Sequence, residues 1–327
     1  MTTIYDLAKK TGISKSTISR VVSGNGYVSE EKRKIILNAM HELNYIPNQV
    51  AKNLRQKHTK TIGFLVSDYF PLVGDFINSF TKIAAKYGYN VNVYFTQNAK
   101  NELKTLSLLT TRALDAVFIL TRINSWDTIS SYADFGPIST WQRVEHEHIY
   151  SNYIDHYPIY TDVLKHLDNL GYKNVGHVLS SLRNANTRAR VKAIDDFKLK
   201  HPDSNQDYQI FYHGQHGAGI DAANKWLHAK KRPEAMVFFA DFVAAEFITT
   251  LRKHHIKVPE DCLVVGSDNS EIAKLMNMPT IDLCFRNQAH NVCSNCRKIH
   301  INWRKKTCHV THSKWSLLVE VPATLPS

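Results

Sequence analysis

From residue 61 onward, short apolar runs alternate with amphipathic stretches, and the alternation runs through twice. Thr61-Ile62-Gly63-Phe64-Leu65-Val66 reads as a buried strand, the spacing of Phe76, Ile77, Phe80, Ile83 and Ala84 as a helix stopping at Gly88, and residues 91–95 as the next strand. Leu103, Leu106 and Leu109 mark a second helix ahead of a strand at 116–120. The pattern restarts with a strand at 175–179, a helix at 187–200, a strand at 209–212, a helix at 217–229, a strand at 235–239, a helix at 241–254 and a strand at 262–266. Strands separated by helices need crossover connections, so they line up in parallel sheets covered by helices. The expected body is α/β, with two similar parallel lobes forming a clamshell.

Charge divides the chain differently. Residues 1–60 hold 11 Lys/Arg against 4 Asp/Glu, residues 61–283 hold 23 against 24, and residues 284–327 hold 7 against 1. A head of net +7 before a nearly neutral body suggests a polyanion for the head and a neutral ligand for the body. No run approaches the roughly 18 apolar residues of a membrane helix, and MTTIYDLAKK lacks the apolar core of a signal peptide. A cytoplasmic protein without membrane attachment is therefore expected.

The head reads as a helix-turn-helix. Thr3 can cap a helix whose third residue is Asp6, with Ile4, Leu7 and Ala8 on one face and Gly12 at its end. Ser14 caps a second helix in which Ile18, Val21 and Val22 face inward, and a third helix starts at Ser29 and runs through Ile35, Ile36, Ala39 and Leu43. In such a motif the second helix enters the major groove and offers its first residues to base edges. Lys15, Ser16 and Arg20 lie there and can all donate hydrogen bonds; the plain alternative is a solvated polar face.

The string SKSTISRVVSGNGYVSEEKRKIILNAMHELNYIPNQVAKNLR, followed by TIGFLV, closely resembles the start of lactose-repressor/galactose-repressor family regulators, and the resemblance is dense over residues 3–66. It implies a three-helix DNA-binding domain at 1–46, a hinge and linker at 47–60, and an effector-binding and dimerisation domain at 61–327, with a body like that of periplasmic sugar-binding proteins. Lys15, Ser16 and Arg20 become base readers, with Thr17, Ser19 and Asn25 nearer phosphates and Tyr45 and Asn48 closing the head onto the DNA. From Asn48 to Gln56 the chain is too short for a stable isolated helix. The resemblance implies that it becomes helical when two copies lie side by side in the minor groove, Val50 and Ala51 packing the pair and Leu54 wedging into the central base step.

No catalytic constellation occurs in the body: there is no Walker loop, no G-x-S-x-G and no H-E-x-x-H. Ligands of open α/β lobes bind beyond the carboxyl ends of the strands. There the chain offers Asn186-Thr187-Arg188-Ala189-Arg190, Asp241-Phe242 and Ser267-Asp268-Asn269. By the resemblance, Arg190 binds effector hydroxyls and Asp268 is the carboxylate opposite; Asp241-Phe242 stands where the family usually has Asn-Asp. An Arg fork with a carboxylate suits vicinal hydroxyls, and Phe70, Trp141, Phe242 or Trp226 can stack on a sugar ring. A structural salt bridge is the alternative for Arg190 and for Asp268, and core packing for each aromatic. Asp68-Tyr69-Phe70-Pro71-Leu72-Val73-Gly74 replaces the family's usual Asn-Pro-Phe-Phe opening after the first strand.

After Leu283 the resemblance fades, and four of the five cysteines and four histidines crowd into the last 44 residues. Cys293, Cys296, His300, Cys308, His309 and His312 can be read as zinc ligands, but a divergent helix with free thiols or a shifted reading frame fits them better, so no metal and no cofactor is expected. The family pattern puts a helix here and a last strand returning to the first lobe.

These readings converge on a homodimeric, sequence-specific repressor of carbohydrate-use genes. It would hold a near-palindromic operator and respond to a small sugar-like effector between its lobes. The near-neutral body favours an unphosphorylated ligand, a preference that basic residues in the pocket would reverse. A repressor that has lost its effector response is the first alternative; a sugar-binding transport protein or an enzyme is the second.

Overall fold

The computed structural model describes residues 2–24, 26–47, 58–144, 146–283 and 316–318. Its chain divides into two compact units, 1–60 and 61–327. The hinge residues Asn48, Val50, Ala51 and Leu54, the loop residue Asn25 and the Cys/His-rich tail, apart from the backbone of 316–318, lie outside the described residues.

In the first unit α1 (Ile4–Thr11) opens with the expected capping box: Asp6 N donates to the Thr3 hydroxyl and Thr3 N to the Asp6 carboxylate. Gly12 closes it at φ 68°, a left-handed conformation that costs a residue with Cβ more than glycine. Ser14 caps α2 (Lys15–Ser23), accepting from Thr17 N at 3.3 Å. Together with α3 (Glu30–Glu42) these helices bury Leu7, Ile18, Val21, Val28, Ile36 and Ala39. Ile35 does not join them: it is 44% exposed, because the inward stripe of α3 runs through Ile36, Ala39, Met40 and Leu43 and a neighbour one residue away points about 100° off.

The second unit begins with β1 (Thr61–Val66), α4 (Pro71–Lys86), β2 (Asn90–Phe95), α5 (Ala99–Thr110), β3 (Ala116–Ile119) and α6 (Trp126–Ser130). Two three-residue strands, β4 (Ile138–Thr140) and β5 (Ile149–Ser151), complete a parallel sheet in the order β2-β1-β3-β4-β5. After α7 (His156–Asn169) come β6 (Asn174–Ser180), α8 (Ala185–Lys200), β7 (Asn205–Tyr212), α9 (Ala218–Leu227), β8 (Ala235–Phe238), α10 (Asp241–Lys253), β9 (Leu263–Ser267), α11 (Glu271–Met276) and β10 (Thr280–Asp282). The second sheet runs β11-β10-β9-β8-β6-β7 and is parallel except for β11 (Ser316–Leu318), which pairs antiparallel with β10. That last strand therefore extends the second lobe's sheet at the edge of β10 and does not return to the first.

Both lobes have the same topological switch. The chain leaves β1 for β2 on one side and returns to place β3 on the other; it leaves β6 for β7 and returns to place β8. Crossovers that part in opposite directions leave a crevice at the carboxyl ends of the two central strands. One buried cluster joins the lobes, from Phe64 and Phe118 through Ile159 and Val163 of α7 to Val175 and Val265. No helix of the described residues is long and apolar enough to cross a membrane.

Two helices in the second lobe meet almost backbone to backbone. A Cβ placed on Gly219 of α9 would lie 2.0 Å from the carbonyl oxygen of Val243 and 2.8 Å from Phe247 N on α10. Gly219→Ala should therefore lower the unfolding free energy in urea by about 1–3 kcal/mol. Gly74, on α4 with nothing within 4 Å of a new Cβ, should respond the opposite way, with Gly74→Ala gaining about 0.5–1 kcal/mol.

Candidate DNA-reading helix and candidate ligand site

In the head, the polar side chains that open α2 are held in place by their neighbours. Lys15, Ser16 and Arg20 are exposed, while Thr17 and Ser19 are half-buried. The Ser14 hydroxyl lies 3.0 Å from that of Ser16 and 2.9 Å from that of Thr17, so the cap fixes both rotamers. The Lys15 ammonium sits 3.7 Å from the centroid of the Tyr5 ring, a cation–π contact that orients it from α1. Arg20 lays its stem along Gly26, whose Cβ would meet Arg20 Cδ at 3.4 Å. Lys10 is ion-paired with Glu42 at 2.5 Å, whereas neither Lys15 nor Arg20 has an ion pair among the described residues. Two exposed cations on α2, Lys15 at its first residue and Arg20 in its last turn, are thus without an ion pair and available to phosphates or base edges. Tyr45 packs half-buried against the head's core. Sequence reasoning misses Tyr5, since a tyrosine inside α1 carries no mark of a partner ten residues on.

The second lobe assembles its polar groups around Arg190. This arginine, on α8 after the switch strand β6, is only 5% exposed. Its Nε donates to Nδ1 of His156 at 3.2 Å, and its guanidinium lies 5.7 Å from the Tyr160 ring centroid. Both partners come from α7, so the α7–α8 packing aims the side chain. Burial, with the positive charge of Arg190 as a lesser cause, holds the His156 imidazole well below its usual range, and the ring stays neutral as an acceptor. Among the described residues the two terminal guanidinium nitrogens make no hydrogen bond. Behind Arg190 a buried chain continues: the Tyr160 hydroxyl is 2.9 Å from His177 Nδ1, and His177 Nε2 is 2.8 Å from Gln206 Oε1. An amide oxygen only accepts, so His177 carries its proton on Nε2 and Tyr160 donates. Burial keeps His177 neutral, with its pKa pushed down to about 4.

Asp268 and Asp241 share this neighbourhood but do different jobs. Asp268 follows β9 at φ 116°, a strained conformation for a residue with a side chain, next to Asn269 at φ 48°. Burial, and secondarily the Asp241 carboxylate, raise its carboxyl well above the ordinary range, while the charge of Arg190 pulls the other way. Asp241, at 1% exposure, is fully engaged. Its Oδ2 accepts from Ser270 N and Ser270 Oγ, both at 2.8 Å, and its Oδ1 from Thr280 Oγ1 at 2.6 Å. It ties the start of α10 to the loop that carries Asp268, and so positions that loop from beneath.

The aromatic residues separate. Trp226 is 1% exposed and its Nε1 donates to Pro233 O, so it is core of the second lobe and cannot stack on a ligand. Phe242 stands 5.1 Å edge-on from His216 in the loop before α9. Phe70 and Trp141 are half-buried against the cluster that joins the lobes, Trp141 donating to Leu120 O at 2.6 Å and meeting Phe76 at 5.6 Å. At the first lobe's own switch point, Ser67 bridges to Thr121 through its N at 2.7 Å and its hydroxyl at 2.8 Å, joining the ends of β1 and β3. Neither residue stands out in sequence, because their meeting depends on strand order. No group of three His, Cys, Asp or Glu among the described residues could hold a metal ion.

Comparison with known proteins matches both the head and the body of the chain. The description "Bacterial regulatory proteins, lacI family" matches residues 3–48, and "Periplasmic binding protein-like domain" matches residues 164–293. The chain is 32% identical over 289 residues to the NTD biosynthesis operon regulator NtdR of Bacillus subtilis, covering 86% of each protein. It is 28% identical to Catabolite control protein B of the same organism, covering 86% of the chain and 90% of that protein. With the HTH-type transcriptional repressor PurR of Pasteurella multocida it shares 26% identity over 85% of each. Its fold superposes on the Lac repressor dimer bound to operator and the anti-inducer ONPF with a TM-score of 0.84, covering 97% and 98% of the chains at 20% identity. For the CelR–cellobiose complex the TM-score is 0.71, over 98% and 99% at 18% identity.

Burial raises the Asp241 pKa to about 6, against the hydrogen bonds from Thr280 and Ser270 that lower it. The folded chain then binds this proton more tightly than the unfolded one, so the stabilisation is present at low pH and is lost as pH rises from about 4 to about 6. The unfolding free energy of the native chain relative to Asp241→Asn should accordingly fall across that window and level off above it, as read from urea midpoints at successive pH values.

Proposed function

Because the chain belongs to the LacI family of bacterial regulatory proteins, whose members are DNA-binding transcriptional regulators, we propose that it represses genes of carbohydrate use. Its operator affinity is set by a small sugar-like effector bound between the two lobes. Arg190 carries this reading. A guanidinium on a side chain only 5% exposed, with no hydrogen bond from its terminal nitrogens among the described residues, suits a molecule that brings acceptors to it. Asp268, its carboxyl driven toward protonation, offers both a donor and an acceptor to ligand hydroxyls. The catabolite control protein among the relatives and the cellobiose-bound neighbour of the same fold favour a carbohydrate.

The domain arrangement follows from this reading: a head at 1–46, a hinge and linker at 47–60 and an effector body at 61–327. Two copies pair into a homodimer. Edge strand β2 leaves Val93 36% and Phe95 44% exposed, and Leu275 on α11 is 86% exposed, apolar area that a second copy would cover. Paired heads then place two copies of α2 in successive major grooves of a near-palindromic operator, and the hinges meet in the minor groove between them. The protein works as a regulator inside the cytoplasm and catalyses nothing.

The test begins with the operator that the protein selects from a randomised DNA pool, which should show two related half-sites. On that DNA, Leu54→Ala should cost at least a hundredfold in affinity by fluorescence anisotropy, because the wedge that holds the bent duplex is lost, while the circular dichroism of the chain is unchanged. A single asymmetric site, or a Leu54→Ala variant that binds as tightly as the native chain, would count against a paired hinge.

A further inference from the structure

Arg122, in the first lobe, is unusual in its position and its surroundings. It follows Thr121 directly, at the carboxyl end of β3, where Thr121 and Ser67 join the two central strands of the first lobe. This is the crevice side of the sheet, where open α/β lobes bind their ligands. The side chain is half-buried, and its guanidinium lies 4.8 Å from the centroid of the Trp126 ring, which restrains it. Its Nη1 donates to Asn124 O at 2.6 Å, but its Nε, closed off from solvent, has no partner. Burial lowers the guanidinium pKa, with only partial relief from the charge of Glu102.

Glu102 acts on Arg122 only at a distance. It is fully buried, and its oxygens accept from Ile123 N at 2.8 Å, Asn124 N at 2.7 Å and Asn124 Nδ2 at 2.6 Å. It therefore shapes the loop that presents Arg122 and forms no ion pair with it among the described residues. An arginine held in place, with no ion pair and with its terminal Nη2 making no hydrogen bond among the described residues, is suited to meet an oxyanion. The balance at the second lobe points the same way, since Arg190 is cationic there while burial drives Asp268 and Asp241 toward their neutral forms. A neutral sugar would supply hydroxyls to Arg190 and leave the second guanidinium unmatched.

We infer that Arg122 is a specificity-determining residue of the ligand site that binds an oxyanion, so that the effector is a sugar-like molecule bearing a carboxylate or a phosphate. This rests on the reading of the body as an effector domain. It reverses the expectation of an unphosphorylated ligand that the near-neutral charge of residues 61–283 suggests.

The test follows the melting temperature of the intact chain in chloride, acetate or inorganic phosphate at matched ionic strength. At about ten times the dissociation constant of the oxyanion, a rise of about 2–4 °C is expected in the native chain. A response to phosphate points to a phosphorylated ligand, and a response to acetate alone to a carboxylate. Arg122→Gln should lose the rise, while Arg122→Lys, which keeps the charge without the fork, should keep part of it; the lysine variant also decides the matter if the glutamine variant does not fold. No rise with either oxyanion, or a rise retained in Arg122→Gln and so due to other cations such as those of the head, overturns the inference. If a library of neutral metabolites stabilises the chain while the oxyanions do not, only the oxyanion assignment falls. If neither does, the effector reading beneath it falls too.

Discussion

A charged guanidinium with a neutral histidine and a phenol ring as its close partners is costly to keep in a protein interior, and the second lobe is arranged around that cost. Arg190 is reached by α7 from one side, by α8 on which it stands, and by the strained loop after β9 from another. Each element is where it is because the sheet switches direction between β6 and β8. Replacing the fold's topology would scatter these groups; replacing the arginine alone would leave His156 and Asp268 without the charge they face. The buried chain from Tyr160 through His177 to Gln206 satisfies the polar groups behind it, so the unmet donors are concentrated on the terminal nitrogens.

The two aspartates illustrate how burial sorts similar groups into different roles. Asp241 receives three hydrogen bonds from the protein and is used up by them, whereas Asp268 receives its charge partners only at a distance and sits on a backbone that resists its own side chain. One is a fixed support and the other a group still able to form new bonds. A ligand that binds Asp268 and Arg190 need not disturb the anchor beneath. The same division appears in the first lobe, where Glu102 is saturated by backbone and amide donors while the neighbouring Arg122 retains a vacant one.

Much of this architecture is legible in the sequence, and the exceptions have physical causes. Long apolar runs such as those of β1, β6 and β8 mark themselves because both faces of a central parallel strand are buried. The three-residue strands β4, β5 and β10 are too short to show a period, and β7 begins with Asn205-Gln206-Asp207 at the sheet's edge, where solvent tolerates polar residues and hides the strand. Trp226 and Ile35 show the converse: an aromatic ring looks ready to stack and a branched side chain looks ready to be buried, until the neighbours decide otherwise. The sequence motifs that hold Arg190 and Asp268 can be seen without the structure. Their companions His156, Tyr160, Thr121 and Arg122 cannot, because what makes them matter is contact across elements far apart in the chain.

A head with two uncompensated cations on one helix and a body with unmet donors in its crevice form two units of one chain, and a ligand can influence DNA only through a difference in its affinity for the operator-competent and operator-free states. The linkage must be reciprocal: whatever factor the ligand applies to operator binding, the operator applies to ligand binding. The most direct test is therefore operator affinity of the intact chain with and without the metabolite that most raises its melting temperature, paired with the affinity for that metabolite on and off the DNA. The account predicts that both change by the same factor, about 5-fold or more. A metabolite that binds the body but leaves operator affinity unchanged would contradict it.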